Sequence, residues 1–91
     1  MYMNYEVQIF TQPNCSSCAK VKGWFQENRI SYIEKDIVND PQANQEFGAL
    51  NEKFVPITII TADDKRHQVV GPNLKKIKTI VTATGISGQS H

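Results

Sequence analysis

The only two cysteines of this chain, Cys15 and Cys18, lie three positions apart, where one local pattern changes into another. Residues 7–10 read as a β-strand, and apolar residues at helical spacing begin near Ser16. Residues 11–14 between them have the composition of a turn. A Cys-x-x-Cys pair at a strand-to-helix junction in a small mixed chain is typical of a dithiol redox centre.

Length and charge limit the possible organisation. A chain of 91 residues buries roughly 60 to 70% of its unfolded surface, enough for one compact core. We therefore expect a single domain over residues 1–91, with its core at about 6–84 and a loose tail at 85–91. Ten basic and nine acidic residues give a net charge of +1, which provides no electrostatic reason to expect nucleic acid as a partner.

The apolar runs of the sequence are only a few residues long. About 20 apolar residues are needed to cross a bilayer, so we expect no membrane partner. The first residues lack the basic and apolar regions of a secretory signal, which predicts a cytoplasmic protein. Because the reducing cytosol disfavours structural disulfides, a close cysteine pair there points to catalysis or metal binding. With no evident exposed apolar run, we expect a monomer.

The remaining pattern predicts alternating strands and helices. Strands are predicted at 6–10, 32–37, 55–61 and 67–70, and helices at 16–29, at 41–53, and from residues 71–73 to a stop at Gly85. Asp40 before Pro41 is a strong helix start. In the order βαβαββα the first two strands run parallel and the last two antiparallel, as one four-stranded mixed sheet flanked by helices. This α/β order resembles a minimal thioredoxin-like domain.

Apolar side chains at periodic positions are interpreted as core and not as a cofactor site. The predicted core residues are Phe10, Trp24, Phe25, Phe47, Leu50, Leu74, Ile77 and Val81. Phe54 continues the apolar face of the second helix. Gly23, inside the first helix, costs about 1 kcal/mol relative to alanine unless it marks close packing.

The position of Cys15 predicts its chemistry. Only a thiolate attacks a disulfide, and the N-terminus of a helix can lower a cysteine pKa from about 8.5 to between roughly 3.5 and 7.5. We therefore expect Cys15, nearer the helix start, to be the nucleophile. Cys18, one turn further in, is expected to resolve the mixed disulfide that Cys15 forms with a substrate.

Zinc binding is the competing interpretation of the pair, because Cys-x-x-Cys is also half of a tetrahedral zinc site. Only His67 and His91 remain to complete such a site, and neither has the ligand spacing of a zinc module. We therefore favour redox chemistry and predict no metal. The polar residues around the pair weaken a further alternative, two inert thiols of the core.

Residues 7–18, together with Val55 and Pro56, resemble a glutaredoxin-like domain, and the resemblance covers about residues 6–81. In that family the proline matching Pro56 is cis and packs beside the cysteines, and the backbone of the residue matching Val55 pairs with the bound thiol substrate. The resemblance thus implies Cys15 and Cys18 as the catalytic pair and Val55 and Pro56 as substrate-binding residues. From the sequence alone, a trans proline at a strand start is the alternative.

Several positions differ from glutaredoxins that use glutathione. These typically have Pro-Tyr between the cysteines, a lysine at the position of Gln12, Thr at that of Phe54, and Gly-Gly-x-x-Asp where residues 71–73 begin Gly-Pro-Asn. Gln12, Asn14, Gly71 and Asn73 are nevertheless the residues expected to line the substrate site. The missing lysine and aspartate remove charge partners of glutathione. Glutathione and thioredoxin reductase are therefore both candidate electron donors, and no bound cofactor is expected.

Two functions follow from the sequence. The first is a thiol-disulfide oxidoreductase acting on protein or small-molecule disulfides, close to the redoxins that serve ribonucleotide reductase. The second is a redox-sensing or metal-binding interaction module that uses the same cysteines without turnover. The Spx and arsenate reductase branch also resembles the first segment, but its helical insertion does not fit the compact spacing from Cys18 to Pro56.

Overall fold

The computed structural model describes residues 5–62 and 64–85. The elements are β1 (Tyr5–Thr11), α1 (Ser16–Glu27), β2 (Ile33–Asp36), α2 (Pro41–Ala49), β3 (Ile57–Ala62), β4 (Lys65–Val70) and α3 (Leu74–Thr84). The predicted order βαβαββα is confirmed. Of the predicted tail at 85–91, residues 86–91 lie outside the described residues.

The four strands form one mixed sheet in the order β2-β1-β3-β4. β1 pairs parallel with β2, and β3 pairs antiparallel with β4, as predicted; β3 also pairs antiparallel with β1. The C-terminal ends of β1 and β4 and the N-terminal end of β3 therefore meet at one edge of the sheet. This edge carries the loop with the cysteines.

Alternation along the strands divides the core between the two faces of the sheet. One face packs against α1 and α3, with Phe25, Ile60 and Ile77 fully buried. The other face, with Phe10 and Ile57, is covered by partly buried residues of α2 and its flanks. All eight predicted core residues belong to these two clusters.

The ends of α1 and α2 differ from the prediction. α1 stops at Glu27 and not at Arg29, which has a φ of 57°. α2 stops at Ala49 and not at residue 53, and Asn51 beyond it has a φ of 59°. Asparagine tolerates this left-handed conformation, which ends a helix. Phe54 is consequently outside the helix and 72% exposed, so its predicted place on the helical face was wrong.

The strand boundaries shift by one or two residues. β2 is shorter than predicted and lies at an edge of the sheet, which leaves Ile33 46% exposed. β3 begins after Pro56, and β4 begins at Lys65, which pairs with Ala62 across the hairpin. Within the described ranges, no helix has the length and apolarity needed to cross a membrane.

Candidate active site

The turn after β1 places Cys15 at the start of α1. Cys15 is the N-cap residue, with extended backbone angles, and its Sγ accepts a hydrogen bond from the backbone N–H of Cys18 at 3.1 Å. The preceding Asn14 has a φ of 60°, which asparagine tolerates better than most residues. A cysteine thus takes the position usually held by Ser, Thr, Asp or Asn, and its sulfur meets the unpaired N–H groups of the helix.

The two cysteines are joined as a disulfide, with their Cα atoms 5.2 Å apart. Cys18 is 1% exposed and lies on the buried stripe of α1 with Val21 and Phe25, whereas Cys15 is partly exposed. A substrate disulfide can therefore approach Cys15 but not Cys18. This asymmetry agrees with the nucleophile and resolving roles expected for the pair.

A polar groove of about 740 Å³ opens beside the disulfide. Four of the predicted site residues line it: Gln12, Asn14, Cys15 and Cys18. Its far wall consists of charged and amide residues that the sequence analysis did not identify, namely Lys22, Glu34, Asp36 and Asn39. The groove therefore extends from the reactive sulfur towards the edge strand β2.

A small charged network forms this wall. Lys22 Nζ donates to Glu34 Oε2 at 2.8 Å, and the buried Thr11 hydroxyl donates to the same oxygen at 2.9 Å. The hydrogen bond from Lys22 lowers the pKa of Glu34 below its ordinary value, and Thr11 lowers it further against the opposing effect of burial. Lys22 lies one turn after Cys18, and that spacing was the available sequence signal for its place in the groove.

Asp36 closes the groove at the end of β2. Its carboxylate accepts hydrogen bonds from the side chain and backbone N–H of Asn39 and from the N–H of Val38, at 2.8 to 3.0 Å. These bonds, the side-chain bond from Asn39 first, lower the pKa of Asp36. Both carboxylates of the groove are therefore ionised at neutral pH, beside one lysine.

The other predicted substrate residues lie on a second rim, at the β3 and β4 side of the same edge. The Val55–Pro56 peptide bond is cis, as the resemblance implied and unlike the trans alternative. Gly71 N–H donates to the Pro56 carbonyl at 2.8 Å, which brings these two segments together. Asn73 is the N-cap of α3, its side chain accepting from Lys76 N–H at 3.1 Å. The structure thus divides the predicted site residues between two rims.

Two exposed apolar residues flank this second rim. Phe54, two residues before Pro56, is 72% exposed. Val70 is 47% exposed and pairs with Ile57, the residue after Pro56. Single exposed apolar side chains are common on protein surfaces, and these two are relevant here because of their place beside the segment that contains Pro56.

A zinc site would need ligands in addition to the two cysteines. Across residues 5–62 and 64–85, no group of three or more His, Cys, Asp and Glu side chains converges on one point. His67 lies on β4 opposite Ile60, three residues from Val70 and so about 10 Å from the edge that carries the cysteines. His91, the other zinc candidate, lies outside the described residues.

The chain is similar to glutaredoxins in sequence and in structure. The glutaredoxin family model matches residues 7–65. Among solved structures, glutaredoxin 1 of Francisella tularensis superposes with a TM-score of 0.62 at 25% identity, covering 87% of this chain and 99% of that one. The NrdH-redoxin of Escherichia coli superposes with a TM-score of 0.61 at 18% identity, over 79% of this chain and 92% of that one.

The chain is also similar to a transcriptional regulator of the Spx branch. The global transcriptional regulator Spx 1 of Bacillus cereus is 33% identical over 73 residues, which is 78% of this chain. The alignment spans 56% of that relative, so this chain matches only about half its length. The compact spacing from Cys18 to Pro56 argued against this branch, yet the sequence likeness extends to it.

Proposed function

The chain belongs to the glutaredoxin family, and on this premise we propose that it is a thiol-disulfide oxidoreductase that reduces protein or small-molecule disulfides through Cys15 and Cys18. The observation that carries the proposal is the N-cap position of Cys15, whose Sγ accepts the Cys18 N–H at 3.1 Å. A backbone donor there stabilises a thiolate more than a thiol, and the thiolate is the attacking species.

The reaction has two exchange steps. The Cys15 thiolate attacks one sulfur of the substrate disulfide, forms a mixed disulfide and releases the other sulfur as a thiolate. Cys18 then loses its proton and attacks Cys15 Sγ, so the second substrate sulfur leaves as a thiolate. Both substrate thiolates take up protons, and the protein is left with the Cys15–Cys18 disulfide. Two electrons have passed to the substrate.

An external donor must return two electrons to the disulfide. Thioredoxin reductase and glutathione are the two proposed donors, and the reaction needs no bound cofactor. Gln12 provides an amide group where glutathione-dependent relatives have a lysine. We propose that the protein acts in the cytoplasm, because a reducing compartment keeps such a cysteine pair available as a dithiol. There it would act as a monomer that transfers electrons and contributes to thiol homeostasis.

Redox sensing is the second candidate, and the likeness to Spx 1, named a global transcriptional regulator, favours it. A sensor would form the same Cys15–Cys18 disulfide but would transmit it through a change in partner binding. Slow or absent turnover with every reductant would distinguish it from the reductase.

The test is NADPH consumption with a small disulfide substrate in two coupled assays. One assay contains thioredoxin reductase, and the other contains glutathione and glutathione reductase. Turnover in either assay that is lost in Cys15→Ser supports the reductase and identifies its donor. No turnover in both, from protein whose dithiol is verified by thiol titration, would reject the reductase and favour the sensor.

A further inference from the structure

The charges of this chain are unevenly distributed along the sequence. Nine acidic and five basic residues precede Lys65, whereas five basic and no acidic residues occur from Lys65 to the end. The first part therefore carries a charge of −4 and the second +5. The net charge of +1 does not reveal this separation. In the folded protein the five basic residues of the second part lie on β4 and α3.

Three of these cations lie on α3. Lys75, Lys76 and Lys78 are exposed, while Ile77 and Val81 of the same helix are buried against the sheet. The two ion pairs found within residues 5–62 and 64–85 involve Lys22 and Lys35, not these lysines. Their charges thus face solvent, and we call Lys75, Lys76 and Lys78 the α3 basic face.

Helix stability does not explain this arrangement. Asn73 caps α3, so Lys75 and Lys76 lie in its first turn, where the helix dipole is positive and cations are unfavourable. That turn contains no acidic residue to offset them. A local rule broken without a compensating contact in the fold points to a role in binding.

The α3 basic face begins close to the reactive edge, by which we mean the end of the sheet that carries the loop with the cysteines. Two residues separate Gly71 from Leu74, the first residue of α3, and Gly71 N–H is bonded to the Pro56 carbonyl. The exposed Phe54 and Val70 flank the same segment. Apolar contact residues accompanied by polar or charged residues are the usual composition of a protein interface.

We infer that Phe54, Val70 and the α3 basic face form a docking surface for an acidic protein that carries the substrate disulfide. The inference rests on the proposed function and names its partner class. The lysines at the start of α3, which follow the segment bonded to Pro56, raise the encounter rate with an acidic partner, and the apolar pair contributes contact area once the partner is bound. A polyanion such as DNA fits less well, because the surface includes two exposed apolar side chains and the remaining chain carries a charge of −4.

The test uses three synthetic peptides with the same internal disulfide and flanks rich in Glu, Gln or Lys. The rate of peptide reduction by the reduced protein is measured at ionic strengths of about 0.01 M and about 1 M, where screening is weak and strong. Lys75→Gln/Lys76→Gln removes two charges from the docking surface. Lys20→Gln/Arg29→Gln removes two exposed charges elsewhere and is the matched control.

We expect the Glu-rich peptide to be reduced about ten times faster than the Lys-rich peptide at low ionic strength, with little difference at high ionic strength. The ratio should fall to about threefold or less in Lys75→Gln/Lys76→Gln and persist in the control. Equal rates for the two peptides, or the same fall in both variants, would overturn the inference. So would binding of a DNA duplex that depends on Lys75 and Lys76 in the absence of any peptide preference.

Failure of the proposed function has a different signature. If the wild-type protein reduces none of the peptides, including the Gln-rich one, the oxidoreductase activity is rejected. The docking surface is then decided by fluorescence anisotropy with Cys15→Ser/Cys18→Ser, which binds without reacting. Tighter binding of the labelled Glu-rich than of the Lys-rich peptide, lost with Lys75→Gln/Lys76→Gln, supports the inference, and equal binding rejects it.

Discussion

One turn of helix gives Cys15 and Cys18 different surroundings. Cys15 caps α1 and is partly exposed, while Cys18 is 1% exposed on the buried stripe of the same helix. Sequence spacing predicted this asymmetry, because the N-cap position and the apolar stripe are both local properties of one helix. The residues that face the pair across the groove required the fold.

Lys22 and Glu34 illustrate that limit. They are twelve positions apart and meet only because β2 lies beside β1, so no local pattern indicates their contact. The sequence predicted the parallel pairing of these strands, but the reach of a lysine from α1 to the edge strand depends on how the helix lies over the sheet.

The Lys22–Glu34 pair predicts a pH-dependent contribution to stability. The pKa of Glu34 is lowered in the folded protein, so the pair stabilises above the unfolded pKa and is lost as pH falls through the folded pKa. Because both side chains are partly exposed, we expect Lys22→Gln to reduce the free energy of unfolding by at most about 1 kcal/mol at neutral pH. The difference should shrink from neutral to acidic pH, as the pH falls through the lowered pKa of folded Glu34.

Urea unfolding at neutral and at acidic pH measures this difference. Lys20→Gln is the control, since Lys20 is exposed on the same helix and forms neither of the ion pairs found in the described ranges. An equal loss for Lys22→Gln at both pH values would attribute its role to packing of the aliphatic part of the side chain, not to the charge.

At the scale of elements, the sequence predicts where a helix starts better than where it ends, as α2 shows. The start of α2 was predicted because Asp40 and Pro41 form a local signal, and the Asp40 side chain accepts the N–H of Gln42 as expected. Its end was not predicted, because apolar spacing continues through Leu50 to Phe54. The left-handed Asn51 overrides that periodicity.

Two phenylalanines test the corrected end of α2. Phe47 packs against Phe10, with ring centroids 6.0 Å apart, whereas Phe54 is 72% exposed. We expect Phe54→Ser to change the free energy of unfolding by no more than about 0.5 kcal/mol, as for other surface substitutions. Phe47→Ala should cost about 3 kcal/mol through lost core packing. Both changes are measured by urea unfolding. If Phe54→Ser lowered the free energy of unfolding about as much as Phe47→Ala, the result would indicate that α2 extends to Phe54.

Two glycines should respond to alanine with opposite signs. A Cβ at Gly23, within α1, meets no atom within 4 Å, so close packing does not require a glycine at this position. We therefore expect Gly23→Ala to stabilise the protein by about 0.5 to 1 kcal/mol through helix propensity. Gly71 has the same free space but a φ of 80°, so Gly71→Ala should destabilise by roughly 1 kcal/mol or more.

Thermal denaturation of both glycine variants provides the measurement. The pair is its own control, because each substitution adds one methyl group in open space and only the backbone conformation differs. A lower melting temperature for Gly23→Ala would show that α1 needs flexibility or solvent at this position. An unchanged one for Gly71→Ala would show that the loop relaxes to accommodate alanine.

At the scale of the whole molecule, the sequence predicted the topology because each element had a local signature and the connections left few alternatives. Composition was less informative about the surface. The +1 net charge gave no electrostatic reason to expect nucleic acid as a partner, yet the chain carries −4 before Lys65 and +5 from there onward. Only the fold shows that part of the positive charge begins beside the reactive edge.

This charge separation predicts the behaviour of the protein on an ion exchanger. A cation exchanger contacts one face of a protein at a time, so the local field governs retention more than the net charge does. We expect retention at about pH 7 and low salt although the net charge is only +1. Lys75→Gln/Lys76→Gln should elute at clearly lower salt than Lys20→Gln/Arg29→Gln, although both variants lose two positive charges. Elution of both at the same salt concentration would mean that net charge, and not a basic face on α3, determines how this protein meets a charged surface.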